Sequence, residues 1–359
     1  MNSKLFMKQA IDLATAARGL TSPNPTVGAV IVQDNEVVGQ AAHLRAGGPH
    51  AEGLAIEMAG NQTEGATLYV TLEPCVHYGK TPPCVEQIIR AGIKQVHVAM
   101  QDPNPLVSGR GIELLRAAKI DVLVGLFEKE AKQLNEDWAK YITTGLPFIT
   151  VKTAMTLDGK IASRTGKSKW ITAEVSRENV HRLRHEHDAV MVGAGTIIAD
   201  NSSLTTRGIE AGKNPLRIVI DANLDIPLTA AVVTDGVAKT WIFTNQDTST
   251  EKAQALKGLG IEVHSIQANR LIDVFKLLGE REITSVLVEG GSELIGSLFD
   301  QKLIDKYITF IAPKLIGGRD AITSIGGMGL AEISEAVILT EMKFDKVGED
   351  ICISGYPKW

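Results

Sequence analysis

The chain has 359 residues, 44% hydrophobic and 22% charged, which is the composition of a soluble protein long enough for two domains. The formal net charge is -5 and acidic residues outnumber basic ones in both halves, so neither half has the basic surface that polynucleotide binding requires. No apolar run approaches the about 20 residues that span a bilayer, and three cysteines without a secretory signal favour a reducing cytoplasm.

The first half of the sequence alternates helix and strand patterns. Residues 1–20 have helical apolar spacing, and 27–32 and 36–42 form a predicted hairpin around 33–35. The remaining segments are a helix from His50 to about Ala59, a strand at 67–71, a helix at 84–91, a strand at 95–99, a helix at 111–118, a strand at 121–125 and a charged helix at 126–141. This order predicts an α/β sandwich with a partly parallel sheet.

Three zinc-ligand side chains and one carboxylate stand out in this half, at His50, Cys75, Cys84 and Glu52. Catalytic zinc is held by three protein ligands and lowers the pKa of a water in the fourth position to about 7. In zinc deaminases a Glu two positions after the His is the general acid/base, and Pro-Cys-x-x-Cys follows. His50 and Glu52 can converge at a helix start, and Cys84 also begins a predicted helix, whose positive end favours a thiolate. The pattern predicts hydrolytic deamination.

The spacing of the cysteines leaves alternatives open. Cys84 lies nine positions after Cys75, which departs from the common motif. A closed structural zinc site with His77 as fourth ligand would leave Glu52 without a role, and the thiols could be buried simply as small hydrophobes. Against the latter, both cysteines follow a proline in a polar loop, whereas Cys352 lies far away in an apparent strand.

Pro74 to Cys84 resembles the extended zinc motif of the bifunctional riboflavin-biosynthesis deaminase-reductase family, and the loops at 24–28 and 102–105 are similar to that family's other loops. The resemblance implies a cytidine-deaminase-like α/β/α sandwich with one Zn2+ per chain, which deaminates a diaminopyrimidinone bearing a phosphoribosylamino group. It implies substrate contacts at Asn24, His77, Lys80 and Asn104. Lys80 stands where many relatives carry arginine, which keeps the charge without bidentate geometry.

A second α/β domain is predicted after a linker-like turn at 143–147. Strands beginning at Phe148 and at 189–192, 217–220 and 240–243 alternate with helices such as 250–258. Two strand-to-helix corners, at 192–196 and 286–294, contain glycines that would let a phosphate approach backbone amides. Neither has the full Gly-x-Gly-x-x-Gly fingerprint, so the residues alone favour structural turns.

Residues 152–162, 170–172, 188–196, 200–207 and 312–318 are similar to the reductase half of the same family, which has a dihydrofolate-reductase-like α/β fold. The resemblance implies reduction of the ribosyl group to ribityl. No general acid emerges from the sequence, and Glu289 and a water are the candidate proton donors. The resemblance also implies NADPH contacts at Ala154, Trp170, Thr196, Asp200, Gly291, Ser292, Glu293, Leu294, Ile295, Gly296 and Ser297. The implied substrate contacts are Ser168, Arg184, Leu204, Arg207 and Glu289, and guanidinium groups suit a sugar phosphate. Without the resemblance, the sequence favours a core position for Trp170 and a position on a solvated helix face for Arg184.

We therefore expect a zinc-dependent pyrimidine deaminase domain at 1–145 and an NADPH-dependent reductase domain at 146–359. The expected enzyme is cytoplasmic, acts on small phosphoribosylaminopyrimidines, binds neither nucleic acid nor membrane and, by the resemblance, forms a dimer. A nucleoside or tRNA deaminase with an accessory domain, a non-enzymatic zinc-stabilised binding module, and a chain with one active half remain alternatives.

Overall fold

The computed structural model describes residues 2–77, 82–105, 107–210, 212–267 and 270–359. The chain divides into two compact units, Met1–Gly145 and Leu146–Trp359. Each unit has its own buried apolar core. In the described part of the chain, no helix is both long and apolar enough to cross a membrane.

The first unit is a sheet between two layers of helices. Its elements are α1 (Ser3–Ala16), β1 (Gly28–Gln33), β2 (Glu36–Ala42), α2 (Ala51–Ala59), β3 (Thr67–Leu72), α3 (Cys84–Arg90), β4 (Gln95–Met100), α4 (Arg110–Ala117), β5 (Asp121–Val124), α5 (Glu128–Leu134) and α6 (Glu136–Thr144). Among the described residues the strand order is β2-β1-β3-β4-β5, with β1 antiparallel to both neighbours and β3, β4 and β5 parallel. Helix α1 packs so closely on β1 that a Cβ at Gly28 would collide with the Ala10 carbonyl.

The prediction of a single helix at 126–141 is wrong, because Asn135 interrupts the helix and separates α5 from α6. Asn135 has a non-helical backbone and is 1% exposed. Its side chain pairs with the backbone of Thr26, accepting from Thr26 N at 2.7 Å and donating to Thr26 O at 3.0 Å. Asn135 therefore ties the α5–α6 junction to the loop that carries Asn24.

The second unit is built on a larger sheet. Its elements are β6 (Phe148–Thr156), α7 (Glu174–Glu186), β7 (Ala189–Gly193), α8 (Ala194–Asp200), β8 (Leu216–Ile220), α9 (Ala231–Thr234), β9 (Thr240–Thr244), α10 (Glu251–Gly258), β10 (Glu262–Ser265), α11 (Leu271–Glu280), β11 (Ser285–Val288), α12 (Ser292–Asp300), β12 (Lys306–Ala312), β13 (Ile338–Val347) and β14 (Asp350–Lys358). The described strands lie in the order β10-β9-β8-β7-β11-β6-β12-β14-β13. The first seven strands in this order, which run from β10 at one edge to β12, are all parallel. Strand β14 pairs antiparallel with β12, and β13 pairs antiparallel with β14.

The parallel strands bring both predicted glycine corners to one edge of this sheet. Strands β7 and β11 are neighbours, and Gly193 N donates to Gly290 O at 3.1 Å just beyond their carboxyl ends. Gly290 has φ 127°, a backbone conformation that favours glycine. Open α/β sheets bind ligands at this edge.

The predicted linker at 143–147 begins later than expected. Thr143 and Thr144 complete α6, and Gly145 ends that helix with φ 73°.

Candidate active sites

The structure brings His50, Cys75, Cys84 and Glu52 together in the first unit. His50 is the residue before α2, Glu52 lies in the first turn of that helix, Cys84 begins α3, and Cys75 follows β3. His50 Nδ1 lies 3.1 Å from Cys84 Sγ and 3.5 Å from Cys75 Sγ. Two helix starts and one strand end thus converge, which explains why residues distant in sequence share one site.

These three ligands fit a zinc ion. Their donor atoms all lie within 4.8 Å of one another. Ligands around tetrahedral zinc, with bonds of about 2.0–2.3 Å, are separated by about 3.6 Å. One imidazole nitrogen and two cysteine sulfurs, which bind as thiolates, are also the donor types that zinc prefers. The closed-site alternative with His77 as fourth ligand has no support, since His77 is exposed and the cluster found among the described residues consists of the other three.

The surroundings of the cluster shift the pKa values of both cysteine thiols and of the Glu52 carboxyl group. A hydrogen bond with the Cys84 thiol lowers the pKa of Cys75 to about 4, and His50 contributes to this shift. The same shared hydrogen bond and burial raise the pKa of Cys84. Glu52 is 4% exposed, and burial raises the pKa of its carboxyl group. Glu52 is thus a partly desolvated group beside the metal ligands, as a proton carrier requires.

His43 also belongs to this site, although no motif in the sequence includes it. Its ring packs edge-on against that of His50, with centroids 5.5 Å apart. His43 Nδ1 lies 2.9 Å from the Pro49 carbonyl oxygen and must donate to it, so in the neutral ring Nε2 accepts from Asn24 Nδ2 at 3.1 Å. Burial lowers the pKa of His43, which favours that neutral form. The Asn24 amide is thereby oriented with its nitrogen toward His43, and its oxygen is the atom that a substrate could address.

A buried carboxylate, Glu73, organises the loop that contains Asn104. Glu73 is 3% exposed. It accepts backbone N–H groups of Asp102 at 3.1 Å, Gly109 at 3.0 Å, Gly111 at 2.8 Å and Ile112 at 3.3 Å. The backbone at Asp102 and at 109–112 is therefore fixed next to Pro74 and Cys75. Asn104 is half-buried in this loop, whereas Lys80 lies outside the described residues.

The second unit contains a cavity of about 990 Å3 at the glycine corners. The predicted cofactor residues that line this cavity are Ala154, Trp170, Thr196, Asp200, Gly291, Ser292, Glu293, Leu294, Ile295 and Ser297. Gly296 does not line the cavity, because it packs against the backbone of Gly326 and Gly327. The predicted substrate residues Ser168, Arg184, Leu204, Arg207 and Glu289 also line it.

The cavity fits a dinucleotide. Its volume lies in the range of cofactor pockets. At the start of α12, a Cβ on Gly291 would lie 3.4 Å from Thr196 Oγ1, so the glycine keeps the two corners close and their backbone accessible. Ser168 Oγ donates to Asp200 Oδ1 at 2.9 Å, at the last residue of α8, the helix that follows the 192–196 corner. Trp170 is 64% exposed, with the Arg177 guanidinium 4.5 Å from its ring centroid, which excludes core packing as its role.

A buried group of three charges lies in the same cavity. Arg184 donates to Glu289 through Nε at 2.5 Å and Nη2 at 3.0 Å, and Lys152 Nζ lies 3.7 Å from Glu289 Oε2. Burial alone would raise the pKa of Glu289, but Arg184 and Lys152 outweigh it and lower that pKa to about 2. Burial lowers the pKa of Lys152. Arg184 thus pairs with Glu289 and is not a solvated residue of the helix face. Lys152 lines the cavity too and is an additional site residue, beyond those predicted from the sequence.

The two units together define a class of protein. A His/Cys/Cys site with a buried glutamate is a zinc-dependent deaminase centre, and the second unit has the cavity of a nucleotide-dependent reductase. Residues 1–100 match the cytidine and deoxycytidylate deaminase zinc-binding region, and residues 147–353 match the RibD C-terminal domain.

Several relatives match this chain over nearly its whole length. The chain is 47% identical to the riboflavin biosynthesis protein RibD of Aquifex aeolicus, over 98% of this chain and 97% of that protein. It is 46% identical to the RibD of Bacillus amyloliquefaciens, over 98% and 96%. Two solved structures also match over 99% of both chains: RibD of Acinetobacter baumannii, with TM-score 0.90 and 36% identity, and a deaminase/reductase of Thermotoga maritima, with TM-score 0.88 and 38% identity.

The chain belongs to the RibD family of bifunctional deaminase-reductases of riboflavin biosynthesis. The predicted fold classes, the two activities and the cofactors zinc and NADPH are confirmed. The roles of individual residues stay predictions.

Proposed function

We propose that residues 1–145 deaminate 2,5-diamino-6-(5-phosphoribosylamino)pyrimidin-4-one and that residues 146–359 reduce the ribosyl group of the product to ribityl. The Thermotoga maritima relative is described as a diaminohydroxyphosphoribosylaminopyrimidine deaminase and 5-amino-6-(5-phosphoribosylamino)uracil reductase, which supports this pair of substrates. The observation that carries the proposal is Glu52, buried beside the His/Cys/Cys cluster in a unit separate from the glycine-cornered cavity.

In the first unit, His50, Cys75 and Cys84 hold the zinc. When bound, zinc makes a water nucleophilic at neutral pH. The Glu52 carboxylate would take one proton from the attacking water and give it to the pyrimidine ring nitrogen. It would then take the proton of the hydroxyl group formed at the attacked carbon and give it to the departing amine. Asn24, oriented by His43, and Asn104, held by the loop around Glu73, position the pyrimidine ring.

In the second unit, the glycine corners and Trp170 position NADPH, which supplies the hydride when bound. Arg207 is exposed at the cavity and, together with Ser168 and Leu204, suits the sugar phosphate. Glu289 is ionised near neutral pH, so it can deliver a proton only after receiving one. Lys152 Nζ, 3.7 Å away, is the neighbouring group that could supply it.

A split assay tests this assignment. We expect ammonia release from the diaminopyrimidinone without NADPH, followed by NADPH oxidation once the cofactor is added. Removing zinc with a chelator should abolish ammonia release, because the ligands then hold no ion. Chelation should leave NADPH oxidation intact when the deaminated intermediate is supplied. Zinc re-addition is the control, and chelator-resistant ammonia release would contradict the assignment.

We also propose that the chain forms a dimer through the edge strand β13. This strand ends the described sheet and exposes apolar side chains, among them Phe344, 64% exposed, and Ile338, 68% exposed. Exposed apolar surface of this kind usually marks an interface. Sedimentation equilibrium should give a dimer for the native chain and a shift to monomer for Phe344→Glu.

The matched control for the dimer experiment is Val237→Glu, which places the same charge at another exposed apolar position of this unit. A monomeric native chain, or equal dissociation by both variants, would refute the use of β13. We further propose a cytoplasmic location, supported by the three free cysteines and testable by cell fractionation.

A further inference from the structure

The segment 203–206 of the reductase cavity has an unusual backbone. Leu204 is buried and has φ 54°, in the left-handed region that residues with side chains rarely adopt. Ser203, Leu204 and Arg207 all line the cavity. Such conformations persist only where surrounding structure holds them, and they concentrate at ligand sites.

Side chains from outside the segment hold it in this conformation. Arg217 Nη1 donates to Ser203 O at 3.2 Å. Thr205 O accepts from Arg184 Nη1 at 2.9 Å and from His181 Nδ1 at 3.1 Å. On the other side, Thr206 N donates to Asn214 Oδ1 at 2.9 Å. The backbone polar groups on both sides of Leu204 are thus fixed by partners that are not its neighbours in sequence.

The held conformation leaves donors for an anion. In the part of the chain that the structure describes, the backbone N–H groups of Leu204 and Arg207 make no hydrogen bond with protein. The exposed Arg207 side chain adds a guanidinium at the same place. Unpaired N–H groups next to an arginine form a suitable site for a phosphate.

We propose that His181 is a positioning residue for the sugar phosphate of the substrate, acting through the Thr205 carbonyl that it shares with Arg184. The inference rests on the proposed function, in which Leu204 and Arg207 bind that phosphate. His181 lines the cavity one turn before Arg184 on α7. Its Nδ1 must carry a proton, because a carbonyl oxygen can only accept.

The surroundings of His181 suit a neutral ring with a fixed tautomer. Burial lowers its pKa, and the cations Arg184 and Arg207 lower it further, against the smaller effects of the Thr205 hydrogen bond and of Glu289. A neutral ring donating through Nδ1 keeps the contact with Thr205 without adding a third full charge beside the two arginines. His181 therefore orders the phosphate-binding backbone and need not contact the phosphate itself.

Steady-state kinetics of the full-length enzyme test this role, with the deaminated intermediate as substrate and the same molecule without its phosphate as comparison. His181→Leu removes the donor, and a lost neutral hydrogen bond corresponds to about a 2- to 12-fold change. We expect KM for the phosphorylated substrate to rise by about that factor, with kcat and the KM of the dephosphorylated molecule unchanged. His181→Asn places an amide nitrogen near the position of Nδ1 and should restore KM.

Several controls separate the possible results. Arg182→Leu, an exposed neighbour on α7, should change neither KM, and ammonia release by the first unit should be unchanged in every variant. His181→Ala repeats the loss of the donor if the leucine variant folds poorly. An equal KM rise for both substrates, a loss of kcat, or failure of asparagine to restore KM would overturn the role of His181. If the native enzyme does not distinguish the two substrates, the proposed phosphate site itself is wrong.

Discussion

Replacing Glu52 with glutamine is expected to slow ammonia release by about 10²–10⁴-fold, the usual contribution of a general acid/base. The amide has nearly the shape of the carboxyl group but cannot carry the proton from water to the leaving amine. Zinc should stay bound, because His50, Cys75 and Cys84 are unchanged. Ammonia release and zinc content, measured on the same preparation, check this result.

The matched control for Glu52 is Glu57→Gln, which makes the same change on the exposed face of α2. It should leave both activities intact. NADPH oxidation by the Glu52 variant should also be normal when the deaminated intermediate is supplied. A Glu52 variant that keeps zinc and full ammonia release would show that the cluster is structural and would revive the zinc-stabilised binding module.

The zinc cluster could be predicted from sequence because its residue types are those of a zinc site. Only His50 and Glu52 are close in sequence, within one helical turn, and Cys75 and Cys84 lie 25 and 34 positions from His50. The convergence of these ligands was therefore expected from their chemistry and the resemblance and depends on the fold. The resemblance extended this prediction to the cofactor cavity. There the glycine corners alone were ambiguous, and only the pairing of β7 with β11 brings them together.

The supporting residues could not be predicted because their partners are far away in sequence. Asn135 breaks a helix in order to bond Thr26, a residue 109 positions earlier. Glu73 accepts N–H groups 29 to 39 positions later. His43 directly follows a strand and Lys152 lies within one, and neither position suggests a functional role from the sequence pattern. Residue type and periodicity carry no information about such long-range hydrogen bonds.

Gly296 shows that a family resemblance can also select a residue that does not line the cavity. The resemblance assigns cofactor contacts to the continuous run Gly291 to Ser297, but successive residues of a helix face different sides. Gly296 lies on the side of α12 that packs against Gly326 and Gly327, where a Cβ would collide with their backbone. Its small size is explained by packing, whereas the start of the helix lines the cavity.

Replacing Glu289 with glutamine should abolish NADPH oxidation and destabilise the second unit by about 3–5 kcal/mol, the cost of breaking a buried ion pair. Arg184 and Lys152 would then be two buried cations without a counter-charge. Ammonia release should be unchanged. The measurements are NADPH oxidation with the deaminated intermediate and thermal unfolding of the full-length chain, with the exposed Glu280→Gln on α11 as the matched control.

The pH dependence of that stability difference distinguishes charge from packing. The pKa of Glu289 is about 2 in the folded chain, below the about 4.3 of an unfolded glutamate. Its stabilising contribution is therefore complete above the unfolded pKa and is lost as pH falls through the folded pKa. The gap in unfolding free energy between native chain and variant should be constant from pH 7 to about pH 5 and shrink as pH falls below about 4. A gap that stays constant toward pH 3 would assign the loss to packing around the amide rather than to the missing charge.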